Sequence, residues 1–153
     1  MAERGADRRV AEARILLVED NPDDIELTLR AFRKVNLSNE VEVARDGEEA
    51  LRVLLGAEGG DDVDLPTVVL LDLNLPKIGG LEVLRRLRGD PRTRFLPVVI
   101  LTSSAEERDL VQGYELGANS YVRKPVAFDA FVDAARQLGL YWLLLNRQPR
   151  TGR

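Results

Sequence analysis

The chain has 153 residues, of which 44 % are hydrophobic and 31 % charged, as is typical of one soluble globular domain. It contains neither histidine nor cysteine, which excludes disulfides, Cys/His zinc sites and triads that need an imidazole. A formal net charge of −4 argues against nucleic acid binding, which usually requires a basic surplus. Any chemistry must therefore use carboxylates, hydroxyls, lysine, arginine, the backbone or a hard metal ion.

The two ends of the chain bear on its location. Residues 1–13 are charged throughout, so they do not resemble a signal peptide and predict a flexible extension. The longest apolar run, Leu140 to Leu145, is too short to cross a membrane. We therefore expect a cytoplasmic protein without a membrane partner.

Short apolar runs alternate with segments of helical spacing, and this pattern repeats five times. Some of the runs are apolar throughout, as in strands covered on both faces. Asn21-Pro22 predicts the start of the first helix, with a capping residue followed by proline. The repeat predicts an α/β fold with a doubly wound, five-stranded parallel sheet. The predicted strands are Ile15–Val18, Val41–Val43, Thr67–Leu71, Val98–Leu101 and Ser120–Val122, and helical stripes include Ile25, Leu29 and Phe32 and then Leu81, Leu84 and Leu87.

Polar side chains follow four of the predicted strands. The first strand ends in Glu19 and Asp20, the third in Asp72, the fourth in Thr102 and the fifth in Lys124. Open parallel sheets bind ligands at the carboxyl ends of their strands, so we expect these groups to converge. The lysine is conspicuous, because the chain has only three lysines beside 19 arginines.

Three neighbouring carboxylates predict a cation site, because without a cation they would raise one another's pKa. Oxygen ligands suit Mg²⁺. We expect Asp20 and Asp72 to bind it directly, Glu19 to act through water and the backbone carbonyl of Asn74 to add a ligand.

The same edge predicts phosphoryl chemistry. Asp72 can attack a phosphoryl group as a carboxylate nucleophile. Mg²⁺ and Lys124 would neutralise charge on the transferring oxygens, and Thr102 can donate its hydroxyl to one of them.

Four segments resemble the receiver domain of two-component response regulators, a CheY-like domain. They are ILLVEDN (15–21), VVLLDLNLPKIGGLEVL (68–84), VVILTSS (98–104) and GANSYVRKPV (117–126). The resemblance implies a flavodoxin-like (βα)5 receiver over residues 14–138. It also implies a phosphoacceptor signalling protein rather than an enzyme, one that catalyses only its own phosphorylation and dephosphorylation.

The resemblance implies a role for each matching residue. Mg²⁺ would be the cofactor, with Mn²⁺ or Ca²⁺ as substitutes, and a sensor histidine kinase would supply the phosphoryl group. Gly79-Gly80 matches a flexible loop after the acceptor. The implied roles are phosphoacceptor for Asp72, metal binding for Glu19 and Asp20, switch hydroxyl for Thr102, phosphate contact for Lys124, switch aromatic for Tyr121, dephosphorylation tuning for Asn74 and Ser104, and a cis peptide bond at Lys124-Pro125.

A finer resemblance points to the small response regulators that partner bacterial phytochromes. It rests on EDNPDD, DLNLP, the long acidic loop near Glu58 to Asp64 and the Tyr-Trp tail. It predicts a single-domain response regulator with a bacteriophytochrome as its kinase. The loop itself has no implied role.

The C-terminal segment carries more apolar surface than one helix needs. Phe128, Phe131, Ala135 and Leu138 form the core-facing stripe of a fifth helix, and residues 139–145 are apolar on nearly every face. We expect an extended C-terminal helix that forms a homodimer, since aromatic residues are enriched at interfaces. The alternative is that residues 139–153 fold back on their own domain. The predicted contacts are Leu140, Tyr141, Trp142 and Leu145.

Two other functions compete with the phosphorylation switch. A pseudo-receiver would be an interaction module without phosphorylation, but it would lack one of the acidic or lysine residues found here. A Mg²⁺-dependent phosphatase or phosphotransferase commonly carries an acid two residues after its nucleophile, and here that residue is Asn74.

Overall fold

The computed structural model describes residues 14–36, 40–56, 64–103, 106–124 and 128–138, without the side chains of residues 107, 131 and 138. Their strands form one parallel sheet in the order β2-β1-β3-β4-β5. This is the doubly wound arrangement that the β-α repeat predicts. The strands are β1 (Ile15–Val18), β2 (Val41–Ala44), β3 (Val68–Leu71), β4 (Val98–Thr102) and β5 (Ser120–Arg123).

Five helices cover the two faces of the sheet. Helices α1 and α5 pack on one face, and α2, α3 and α4 on the other. Every residue of β1 and β3 is buried, which explains why these strands lack polar alternation. The helices are α1 (Pro22–Lys34), α2 (Gly47–Leu55), α3 (Gly80–Gly89), α4 (Glu107–Glu115) and α5 (Phe128–Leu138).

The start of α1 follows the predicted capping pattern. Asn21 is the N-cap, and its Oδ1 accepts hydrogen bonds from the backbone N–H groups of Asp23 and Asp24 at 2.9 and 3.3 Å. Pro22 occupies the first helical position, where its missing N–H costs nothing. The entry of α1 is therefore fixed directly after the end of β1.

The helical stripes are confirmed in part. Ile25 and Phe32 of α1 are buried, whereas Leu29 is half-buried. Among the described side chains of α5, Val132 and Ala135 are buried, so Val132 joins a stripe from which the sequence pattern omitted it.

Several expectations fall outside the described residues. These are the N-terminal extension over 1–13, most of the acidic loop (57–63), Ser104, Pro125 of the predicted cis bond, and the tail over 139–153. No helix within the described ranges is long and apolar enough to span a membrane. The predicted dimer contacts in the tail are Leu140, Tyr141, Trp142 and Leu145.

Candidate functional site

The carboxyl ends of β1, β3, β4 and β5 form one rim, called here the carboxyl edge. Backbone hydrogen bonds continue the sheet beyond the strand ends and fix the residues that follow. The N–H of Glu19 donates to Ala44 O at 2.9 Å, that of Asp72 to Val18 O at 3.0 Å, and that of Lys124 to Thr102 O at 2.8 Å. The predicted site residues are thus held on neighbouring strands by main-chain contacts.

Three carboxylates at this edge form what we call the acidic cluster: Glu19, Asp20 and Asp72. Each offers an oxygen that lies within 4.8 Å of the other two. Glu19 and Asp72 are 3 % and 5 % exposed, while Asp20 is exposed. An all-oxygen donor set with one side open to solvent fits a hard divalent cation that keeps water ligands.

Lys124 reaches into the acidic cluster from the end of β5. Its ammonium contacts Glu19 Oε1, lies 2.8 Å from Asp24 Oδ2 and lies 3.2 Å from Asp72 Oδ2. The lysine side chain is 8 % exposed. A lysine ammonium has three N–H donors, so one donor is available for each of these carboxylates.

Charge at the carboxyl edge is only partly balanced. Burial raises the pKa of Glu19 to about 7, because the hydrogen bond from Lys124 offsets only part of this effect and the Asp72 charge adds to it. Burial alone would lower the pKa of Lys124, but its contacts with Asp24 and Glu19 raise that pKa above the ordinary value. The lysine therefore stays charged, and one ammonium serves several carboxylates.

Thr102 and Tyr121 lie on neighbouring strands beside the cluster. Thr102 ends β4 and is fully buried. Tyr121 of β5 pairs in register with Ile100 and is half-buried against the core under α4. The structure brings the two residues to the same side of the sheet, and their coupling stays a prediction.

The loop after Asp72 packs closely against the edge. Asn74 is exposed, and its N–H donates to Asp72 Oδ1 at 3.3 Å. Gly80 is buried, and a Cβ at this position would lie only 2.3 Å from the carbonyl oxygen of Asp72. Gly79 is the N-cap of α3, and Gly80 begins that helix at a close backbone approach that requires glycine. The flexibility of Gly79-Gly80 stays a prediction.

The sequence pattern did not identify Asp24 as a site residue. It lies in the first turn of α1, half-buried, with its carboxylate on Lys124. Acidic residues are common in this turn because they complement the helix dipole. The sequence feature that could have identified Asp24 is the helix start at Asn21-Pro22, which places Asp24 next to the end of β1.

Comparison with known proteins decides the family. The chain matches the response regulator receiver domain over residues 15–136. It belongs to the response regulator receiver family. It is thus a receiver-domain response regulator of a two-component system, and the predicted flavodoxin-like fold is confirmed.

Two curated relatives align along most of the chain. The probable methanogenesis regulatory protein FilR2 of Methanothrix harundinacea is 43 % identical, covering 88 % of this chain and 86 % of its own. Response regulator Rcp1 of Synechocystis is 34 % identical, covering 84 % and 88 %.

Solved structures agree with this assignment. The phosphorylated cyanobacterial phytochrome response regulator RcpA has a TM-score of 0.82 and 35 % identity, covering 91 % of this chain and 99 % of its own. The bacteriophytochrome response regulator AtBRR has 55 % identity and a TM-score of 0.67, covering 89 % and 99 %. A Mn²⁺-bound form of Rcp1 has a TM-score of 0.79 and 33 % identity, covering 90 % and 99 %. The near neighbours of this chain thus include phytochrome-associated response regulators.

Proposed function

We propose that Asp72 accepts a phosphoryl group from a partner histidine kinase and that the domain then switches its affinity for a target. The observation that carries the proposal is the buried Asp72 carboxylate, which lies beside the carboxylates of Glu19 and Asp20 and 3.2 Å from the Lys124 ammonium. An anionic nucleophile can attack a phosphoryl group only where the negative charge of that group is offset. The Lys124 ammonium and a cation held by the acidic cluster would offset it.

The phosphoryl transfer would be a displacement at phosphorus. One Asp72 carboxylate oxygen forms the new P–O bond, the P–N bond of a phosphohistidine breaks, and the leaving imidazole nitrogen keeps that electron pair. The nitrogen then takes up a proton, and the product on this chain is an acyl phosphate. The 153 residues contain no histidine, so the donor lies outside them.

The acidic cluster would hold a divalent cation, which we propose to be Mg²⁺ with Mn²⁺ or Ca²⁺ as substitutes. Asp20, Asp72 and the carbonyl of Asn74 would bind it directly, and Glu19 would act through water. When bound, the cation would neutralise charge on the transferring phosphoryl oxygens. The Mn²⁺-bound form of Rcp1 supports this assignment.

The remaining residues of the edge would read the phosphoryl group. Lys124 can donate to one phosphoryl oxygen and the Thr102 hydroxyl to another, since the two residues are joined by a backbone hydrogen bond of 2.8 Å. Movement of Thr102 would then open space for Tyr121 to turn inward. Asn74, exposed beside Asp72, would tune dephosphorylation together with Ser104.

The partner would be a sensor histidine kinase of the phytochrome class. This rests on the similarity to RcpA, a cyanobacterial phytochrome response regulator, and to AtBRR, a bacteriophytochrome response regulator. Homodimerisation through Leu140, Tyr141, Trp142 and Leu145 and a cytoplasmic location remain part of the same proposal.

Intact-mass measurement after incubation with Mg²⁺ and acetyl phosphate tests the phosphoacceptor. The wild-type chain should gain about 80 Da, the mass of one added phosphoryl unit. Asp72→Asn should gain nothing, whereas Asp133→Asn, an exposed acid of α5, should behave as wild type. An unlabelled wild type, under conditions that label a known receiver, would favour the pseudo-receiver function instead.

A second measurement tests the switch. Thr102→Ala should still gain the mass but lose the environmental change at Tyr121, followed by ¹⁹F NMR of fluorotyrosine. The chain has three tyrosines, so Tyr121→Phe identifies the signal. Thr102→Ser keeps the hydroxyl and should respond as wild type. Equal responses of Thr102→Ala and wild type would refute the coupling.

A further inference from the structure

We propose that Asp24 is a positioning residue for Lys124: it keeps the ammonium at the carboxyl edge when a cation occupies the acidic cluster. The inference rests on the proposed function, because it assigns the residue that keeps the lysine within reach of the phosphoryl group. Asp24 lies in α1, and Lys124 directly follows β5.

Asp24 and Lys124 are joined across the fold. The Lys124 ammonium lies 2.8 Å from Asp24 Oδ2, closer than the 3.2 Å to Asp72 Oδ2. The residues are 100 positions apart in sequence, so the contact depends on how α1 sits beside the end of β5. The Asn21 cap fixes that start, and the carbonyl of Asp24 accepts a 2.8 Å hydrogen bond from Thr28 Oγ1. Asp24 is thus presented from an ordered helical turn.

The three partners of Lys124 differ in depth. The side chains of Glu19 and Asp72 are 4 % and 6 % exposed, whereas that of Asp24 is 28 % exposed. Glu19 and Asp72 also belong to the acidic cluster, where Asp20 adds a third carboxylate. Asp24 is the outer partner and lies beside the cluster.

A cation in the cluster therefore acts unequally on these contacts. It would draw the oxygens of Glu19 and Asp72 toward itself and repel the ammonium, because both carry positive charge. The contact with Asp24 would remain, and a charge-assisted hydrogen bond of this kind is among the stronger ones in proteins. Lys124 would consequently stay at the edge, with donors freed for an incoming phosphoryl group.

Asp23 provides a matched control for Asp24. The two residues are adjacent in the first turn of α1, so replacing either by asparagine removes one charge from the same helix end. Asp23 is exposed, and the described ion pairs of Lys124 go to Glu19, Asp24 and Asp72. A general charge effect would be equal in the two variants, while a positioning effect would be confined to Asp24→Asn.

The experiment measures the acylation rate of each lysine by peptide mass spectrometry, with and without Mg²⁺, in the full chain. Lys34 and Lys77 serve as internal references, since these and Lys124 are the three lysines of the chain. In wild type and Asp23→Asn, Lys124 should stay protected when Mg²⁺ is added. In Asp24→Asn with Mg²⁺, Lys124 should react about tenfold faster relative to the references, as expected for loss of one charge-assisted hydrogen bond.

Asp24→Glu should restore protection, because it returns a carboxylate. This rescue guards against a folding defect, as does a circular dichroism melt of each variant. If Lys124 is equally protected in wild type, Asp23→Asn and Asp24→Asn with Mg²⁺, the positioning role is overturned. Absence of mass gain in wild type with Asp24-dependent protection would overturn the phosphoacceptor proposal but leave the Asp24–Lys124 contact standing.

Discussion

The two rims of the sheet differ in the partners that surround a basic side chain. At the carboxyl edge, the Lys124 ammonium faces three carboxylates, and Asp20 adds another beside them. At the opposite rim, called here the amino edge, the described hydrogen-bond partners of Arg88 are neutral. Arg88 Nε donates to Gly117 O at 2.9 Å and its two Nη atoms to Thr93 O and Asn119 Oδ1, each at 3.1 Å.

Two of the partners of Arg88 at the amino edge make further hydrogen bonds of their own. Asn119 Oδ1 also accepts from the N–H of Val98 at 2.8 Å, and the hydroxyl of Thr93, fully buried, donates to Leu87 O. Burial lowers the pKa of Arg88. The arginine ties the end of α3 to the turns before β4 and β5.

The difference separates structure from function. The described acceptors around Arg88 are neutral and fixed by the fold, so this arginine serves the structure. Surplus carboxylates around Lys124 cost stability unless a cation offsets their charge. A charged side chain therefore indicates a ligand site when its partners are themselves charged and unbalanced.

The largest expected effect comes from removing the Lys124 ammonium from the carboxyl edge. Lys124→Met in metal-free buffer should lower the free energy of unfolding by about 3 kcal/mol, because it leaves buried carboxylates unpaired. Mg²⁺ should restore most of this loss in urea unfolding. Lys77→Met is the control, since Lys77 is exposed and only 3.6 Å from Asp46 Oδ2. If Mg²⁺ stabilised neither Lys124→Met nor the wild type, the edge would not be a cation site.

Backbone packing behind Asp72 gives the next effect. Gly80→Ala should cost about 2.5 kcal/mol, because its Cβ would overlap the Asp72 carbonyl and the Leu73 Cα. Gly89→Ala, at the other end of α3, meets nothing within 4 Å and should be tolerated. Thermal unfolding compares the two. Equal melting temperatures would mean that the loop yields, and that the site is held by its polar contacts.

A smaller effect is expected at the amino edge. Arg88→Met should cost about 1.5 kcal/mol, as three acceptors lose their donor but part of the site can be rehydrated. Mg²⁺ should not restore this loss, and phosphorylation of Asp72 should proceed at the wild-type rate. Arg86→Met removes an exposed pair with Glu82 from the same helix and should change stability little. A slower phosphorylation of Arg88→Met would show that the two rims are coupled.

The smallest effect concerns the cap that precedes Asp24. Asn21→Ala should cost about 1 kcal/mol, because two N–H groups of the first turn lose their acceptor. Asn21→Ser keeps a capping oxygen and should lose much less. Urea unfolding of the two variants measures the difference. A cost for Asn21→Ser as large as that for Asn21→Ala would assign the loss to something other than capping.

Local patterns were sufficient for most of the fold. The short apolar runs predicted all five strands. Those of β1 and β3 are apolar at every position, because strands buried on both faces require such side chains. Asn21-Pro22 predicted the start of α1 through capping chemistry that involves only neighbouring residues. Strand ends predicted which residues converge, since parallel strands bring their carboxyl ends to one rim.

The tertiary structure decided which partners these residues have. The sequence pattern did not identify Asp24, because an acidic residue in the first turn of a helix is already explained by the helix dipole. Its contact with Lys124 joins residues that are 100 positions apart. The sequence likewise does not show that the Asp72 carbonyl packs against Gly80 and leaves no space there for a Cβ. The sequence by itself thus determined the elements, the family and the rim on which the chemistry lies. Only the packing of α1 and α3 against the strand ends decided how charge is shared there, because electrostatic contacts depend on distances between segments far apart in the chain.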